Sequence, residues 1–167
     1  MAVVHLIEGP VGAGKTTYAL RLARQHRALL LNLDDWMVRL FSPDRPPSEI
    51  WDWYRERKAR CLEQIWCLTC DLLQHQEHVV LELGLLQSAA RVAFYHRVRE
   101  AGFDFRLHVL EVPAEERWQR VQHRNTEKGE TYAMHVSEEV FGLASSMWQS
   151  PSPEEEELYE ITQVEAL

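Results

Sequence analysis

No run of apolar residues in this chain is long enough to cross a bilayer, and no basic segment, apolar core and cleavage site open it. A membrane protein is therefore not expected, and the cytoplasm is the natural compartment. Cysteine is scarce, and Cys61, Cys67 and Cys70 all fall in one helical pattern. Cys67-Leu-Thr-Cys70 has C-x-x-C spacing, but no second pair or histidine partner completes a zinc site. Reduced, buried thiols are the expectation. Positive charge is also short: 18 Lys and Arg against 26 Asp and Glu give a formal net charge of -8. Wide, unspecific capture of nucleic acid needs a basic surface, so this balance weighs against it while leaving room for a local basic groove. Internal repeats and a dividing linker are absent too. With 167 residues, 46% of them apolar and 26% charged, the chain is expected to form one domain, 1–167, with its own core.

Glycine is sparse as well, yet three of the seven glycines stand within one short stretch, Gly9-Pro10-Val11-Gly12-Ala13-Gly14-Lys15-Thr16-Thr17. Val3 to Ile7 before it reads as a buried strand, and Ala19, Leu22 and Ala23 after it share one helical face. Strand, glycine loop and helix start form the context in which G-x-x-x-x-G-K-[ST] is a phosphate-binding P-loop. The glycines let successive N–H groups point inward, and the helix N-terminus adds free N–H groups and its positive dipole end. Lys15 is then placed to reach the β- and γ-phosphates of a nucleoside triphosphate, and the Thr16 hydroxyl to hold Mg²⁺.

Strand and helix patterns alternate along the rest of the chain. Arg27 to Leu33 reads as a second strand ending at Asp34-Asp35, with Asp35 placed to cap the helix that follows. Ser48 is a candidate cap for a long helix over about 49 to 76, whose start gathers Trp51, Trp53, Arg55, Arg57 and Arg60. His78 to Leu83 reads as a third strand, Ala89 to Ala101 as a helix ended by Gly102, and Phe105 to Val112 as a fourth strand. Pro113 suits the first position of the next helix, and Ser137 caps a last one running to about Met147. Glu154 to Glu157 reads as a solvated turn, and Leu158 to Ile161 as a possible fifth strand. Alternation of this kind predicts an α/β fold, a parallel sheet of about five strands between helical layers.

In such a sheet the carboxyl ends of the strands face the ligand crevice, so Asp34 and the γ-phosphate are expected to share one cleft. Glu82 ends the third strand and reads either as a water-mediated magnesium contact or as a strand-end carboxylate with a backbone partner. Arg117, Arg120 and Arg124 lead into a polar excursion suited to a lid over about 124–136 that closes on the triphosphate. The alternative is three arginines on a solvated helix face. Trp148 and the nearby prolines either pack in the turn or border a nucleobase.

Several stretches together resemble the small P-loop kinases that include the kinase domain of phage polynucleotide kinase, the zeta-type toxins and chloramphenicol phosphotransferase. They are Gly9 to Thr17; Asn32-Leu-Asp34-Asp35; Val79 to Glu82, with Arg91 beyond; Val112-Pro113; and Arg124-Asn125-x-x-Lys128-Gly129. The resemblance implies a P-loop NTPase fold with a small lid, ATP with Mg²⁺, and transfer of the γ-phosphoryl group to a hydroxyl. It implies Asp34 as general base and Arg124 and Lys128 as lid cations beside Lys15. Asp35, Arg39 and Arg55 are weaker candidates for substrate contacts, and Thr16 and Glu82 for the metal. The expected acceptor is a small molecule. A polynucleotide 5′-hydroxyl kinase, or a nucleotide-gated regulator acting through a protein partner, are the competing readings.

Overall fold

The computed structural model describes residues 2–129, 132 and 134–164. Five strands form one open, wholly parallel sheet: β1 (Val3–Glu8), β2 (Leu29–Asn32), β3 (Val79–Glu82), β4 (Asp104–Leu110) and β5 (Ile161–Val164), in the order β2-β3-β1-β4-β5. Among the described residues seven α-helices accompany it: α1 (Lys15–His26), α2 (Leu33–Phe41), α3 (Ile50–Gln74), α4 (Ser88–Glu100), α5 (Ala114–Glu127), α6 (Glu138–Met147) and α7 (Pro153–Leu158). No helix among the described residues is long and apolar enough to span a membrane.

The two-residue period of β1 sorts the core into layers. Val4 and Leu6 face the side of the sheet where Cys61 and Ile65 of α3 and Tyr95 and Val98 of α4 pack. Ile7 faces the other side, against Tyr18, Ala19, Leu22 and Ala23 of α1. The central strands are buried on both faces and therefore read as continuous Val and Leu runs. Beyond these layers, Val121 of α5 packs with Val136 and Phe141.

Several local expectations are corrected. The helix after β2 starts one residue before Asp34, and its cap is Asn32, whose Oδ1 accepts from the Asp35 amide at 3.1 Å. Asp35 is thus in the first turn, where its charge meets the positive end of the helix dipole. Glu49, not Ser48, is the residue before α3; it sits in the left-handed region at φ 55° and provides no side-chain cap. Pro113 is the cap residue of α5 rather than its first helical residue. Only Cys61 of the three free thiols is buried. The fifth strand is Ile161–Val164, beginning where the sequence pattern suggested it would end.

The acidic run is not a solvated turn. Ser152 and Glu155 form a capping box that starts α7, and Glu155 is turned inward onto Arg91, which is fully buried. Arg91 Nε and Nη2 both donate to the Glu155 carboxylate at 3.0 Å, and Ser88 Oγ donates to it at 2.7 Å. Burial pushes the Glu155 pKa up, but these bonds outweigh it and hold the carboxyl below its ordinary range. Breaking a buried pair of this kind costs about 3–5 kcal/mol, because the remaining charge stays desolvated. Arg91 also donates to the carbonyls of Leu85 and Leu86, at 3.4 and 3.2 Å, so the pair fixes the segment between β3 and α4.

Candidate active site

The strand order puts β1 and β3 side by side, with β2 next to β3, so three loops leave the sheet at one carboxyl edge. The first is the glycine loop. Gly9 has φ 150°, Gly12 φ 80° and Gly14 φ 95°. A Cβ at Gly9 would lie 2.4 Å from the Leu110 carbonyl oxygen, and one at Gly12 would lie 2.6 Å from that of Arg117. The loop is therefore pressed against the end of β4 and the start of α5, and only glycine fits. Arg117 secures it from behind: buried, it donates to the carbonyls of Val11 (2.8 Å) and Val112 (2.9 Å) and to Ser145 Oγ (3.0 Å). It braces the cradle and does not belong to a mobile lid. Lys15 Nζ lies across the loop, donating to the Pro10 carbonyl at 2.9 Å.

Glu82 joins the three loops. The Thr16 hydroxyl donates to its Oε1 at 3.0 Å, and Asn32 Nδ2 donates to its Oε2 at 2.7 Å. Asn32 thus caps α2 with one end of its amide and holds Glu82 with the other. Burial raises the Glu82 pKa; Lys15 draws it down, and the charges of Asp34 and Asp35 push it back up. Asp34 also adds to the rise that burial imposes on Tyr54, to about 12. Asp34 is exposed in the first turn of α2, near enough to Glu82 and Tyr54 for its charge to raise the pKa of both. The Thr16 hydroxyl beside the Glu82 carboxylate is a pair of hard oxygen donors, the chemistry that suits Mg²⁺.

Behind the loop, Glu8 is wholly buried at the end of β1. Its Oε2 accepts from the Leu85 amide at 3.1 Å, while Oε1 has no partner among the described residues. Desolvation pushes its pKa up to about 8, against the pull of Lys15 and Arg91. The carboxyl is therefore largely protonated near neutrality and ties β1 to the segment after β3 without adding negative charge under the phosphates.

The remaining candidates are more loosely placed. Arg124 is half-buried on α5, with Nε partnerless among the described residues. Lys128 caps the same helix at φ 48°, with Nζ 5.8 Å from the Tyr132 ring. Asn125 pins the return of this excursion by exchanging hydrogen bonds with both backbone groups of Val136, at 2.8 and 3.1 Å. Of the expected lid, 124–136, residues 130, 131 and 133 lie outside the described residues. Arg120 reaches the Ala13 carbonyl at 3.4 Å and pairs with Glu116. Arg39 is exposed on α2, and Arg55 is exposed on α3, paired with Asp52. Trp51 is 72% exposed, whereas Trp53 is half-buried beneath the Arg57 guanidinium. Trp148 and Pro10 line one cleft of about 340 Å³ with Pro113 and Arg117, next to the glycine loop.

Sequence reasoning missed Asn32 as the link to Glu82, Glu8 as the buried carboxyl and Arg117 as the brace. For Asn32 a signal was available: Asn followed three residues later by an acid is a helix-start pattern. Glu8, a charge ending an apolar strand, was also visible. Nothing local marked Arg117, whose partners lie on three separate elements.

A protein-family model, AAA_33, described as an AAA domain, matches residues 4–149. No curated protein matches the sequence. Among solved structures, a chain of the Pnkp1/Rnl/Hen1 RNA repair complex is similar at 19% identity and TM-score 0.69; the match covers 95% of this chain but 46% of that one, so this chain spans under half its length. Kti12 from Chaetomium thermophilum, solved with ADP-AlF3, is similar at 14% identity and TM-score 0.71, over 97% and 88% of the two chains. APS kinase CysC from Mycobacterium tuberculosis, solved with AMPPNP and APS, is similar at 18% identity and TM-score 0.62, over 98% and 88%. The architecture is that of the P-loop NTPases.

Proposed function

The chain belongs to the AAA_33 family of AAA domains, and on that premise we propose that it is an ATP-dependent kinase acting on a hydroxyl of a small molecule. The observation that carries the reading is the Glu82 bridge: it ties Thr16 of the phosphate loop to Asn32, two residues before the exposed Asp34. ATP lies with its phosphates on Gly9 to Thr17 and its base in the cleft beside Trp148 and Pro10. Thr16, and Glu82 through water, would hold Mg²⁺, which would supply positive charge against the phosphates.

Asp34 accepts the acceptor's hydroxyl proton as its oxygen bonds to the γ-phosphorus, and the bond to the β-phosphate oxygen breaks to release ADP. An unactivated alcohol is a poor nucleophile, so a positioned carboxylate is worth about 10²–10⁴ in rate. Lys15 leaves the Pro10 carbonyl for the β- and γ-phosphates, and Arg124 and Lys128 close over the transferring group. Water is thereby kept from competing with the acceptor. The likeness in fold to APS kinase supports a small acceptor. The likeness to the Pnkp1 complex supports a polynucleotide end instead, against which the net charge of -8 weighs.

The test is to incubate the protein with γ-labelled ATP and a pooled metabolite and oligonucleotide extract, and to find which compound takes the label. Asp34→Asn is expected to keep MgATP binding and lose about 10²–10⁴ of the transfer rate. Transfer by Asp34→Asn at the parent rate removes Asp34 from the mechanism, and label on oligonucleotides alone replaces the small-molecule reading.

A further inference from the structure

Eight histidines are present, and four of them meet under the sheet face that carries α1. His5 stands on β1, His26 ends α1, His78 precedes β3, and His108 stands on β4. The ring centroids of His5 lie 4.5 Å from His26 and 5.8 Å from His78, and those of His26 and His78 are 5.5 Å apart. One ring nitrogen from each of these three falls within 4.8 Å of the others. The P-loop is at the other end of α1: Lys15 opens the helix and His26 closes it, about 16 Å away along the axis.

We propose that His5, His26 and His78 form a binding site for one borderline divalent transition-metal ion of the zinc type, separate from the magnesium and nucleotide site.

His5 is the centre of the argument. It is 2% exposed, and its Nε2 is buried without a hydrogen-bond partner among the described residues. Its other nitrogen is engaged: Nδ1 lies 3.1 Å from His108 Nε2, and His108 Nδ1 lies 2.9 Å from the Tyr18 hydroxyl. With Nδ1–H of His5 donating to His108, and Nδ1–H of His108 donating to the Tyr18 oxygen, His5 Nε2 carries a bare lone pair. A metal-bound histidine uses this arrangement, its second nitrogen donating to an outer partner that fixes the tautomer and the ring. A buried nitrogen with no partner otherwise carries its desolvation penalty in full.

Burial also disfavours the charged form of three of the four rings. Burial, then the neighbouring histidines and Arg106, hold His5 down to about 3; burial and Arg106 hold His108 down to about 4, and His26 is lowered in the same way.

Tetrahedral binding at about 2.1 Å brings ligand nitrogens to about 3.4 Å apart. The half-buried rings of His26 and His78 reach that by small rotations. His78 then gives up the long, 3.3 Å contact from the Val3 amide to its Nδ1. Three imidazoles suit zinc, copper, nickel or cobalt, and not magnesium. Arg106, paired with Glu160 at 3.9 Å, contributes the one opposing charge and limits the affinity. The group holds three candidate ligands among the described residues, leaving a fourth position for water.

The test uses the whole chain, freed of metal by a chelator and without nucleotide, titrated with Co²⁺ and followed by visible absorption. A single equivalent is expected to give the bands of low-coordinate cobalt with nitrogen ligands and no thiolate charge-transfer band. Excess Mg²⁺ should not displace it, and Zn²⁺ should. His26→Gln and His78→Gln each lower the affinity at least about tenfold, whereas His123→Gln, on α5, leaves it unchanged. Melting of the metal-free variants reports whether they fold. If Co²⁺ fails to bind at stoichiometric concentration, survives both substitutions, or is lost in Cys67→Ser, the site is not this one.

Discussion

The floor and the wall of the crevice are built in opposite ways. On the floor, polar groups are bound to partners from distant parts of the chain: Thr16 and Asn32 to Glu82, Glu8 to Leu85, Arg117 to Val11. On α2 and the start of α3, the wall under the proposed function, Asp34, Arg39, Trp51 and Arg55 are exposed, and the ion pair of Arg55 is with its own helix neighbour Asp52. A floor held this rigidly suits phosphate, whose geometry is the same in every nucleotide. Exposed side chains of this kind keep more conformational freedom than the bonded groups of the floor.

The largest expected break in this contrast comes from Gly12→Ala. At φ 80°, with a Cβ 2.6 Å from the Arg117 carbonyl, the loop must leave both its conformation and its brace. Backbone strain of this kind costs about 1–3 kcal/mol. ATP affinity, measured by titration, should fall more than about tenfold, since about 1.4 kcal/mol is tenfold. Unchanged affinity would mean that the floor is softer than its contacts indicate.

A smaller effect is read in pH. Glu8 ionises near 4.5 in the unfolded chain and at about 8 in the fold. Between those values the unfolded state binds fewer protons, so stability falls as pH rises. The contribution is complete below about pH 4.5 and is lost as pH passes through about 8. Denaturant melts from pH 5 to 8 should show this slope, and Glu8→Gln should flatten it; an equal slope in both proteins rejects the assignment. The smallest effect belongs to the wall. Arg55→Ala removes a pair whose side chains are 79% and 74% exposed, and should change unfolding free energy by no more than about 0.5 kcal/mol. A loss of several times that amount would show that the wall is as constrained as the floor.

What could be read in advance follows the range of the interaction. The glycine loop was legible because one short stretch creates its function: three left-handed or near-forbidden backbone positions need glycine, and Lys15 and Thr16 follow at once. The position of Asp34 in the chain, just beyond the end of β2, was legible because the strand pattern stops there. Arg91 with Glu155 was not, since the two residues are 64 apart and a run of glutamates ordinarily points to water. The histidines escaped for the same reason, each lying in a separate segment of the chain.

The sequence alone determined the phosphate loop, the α/β alternation and the parallel sheet, because turn chemistry and hydrophobic period act within a few residues. Only the tertiary structure decided the strand order β2-β3-β1-β4-β5, and with it the meeting of Thr16, Asn32 and Glu82 at one end of the sheet and of His5, His26 and His78 toward the other. Pairing energies between strands depend on the whole set of faces to be buried, and no local segment contains that information.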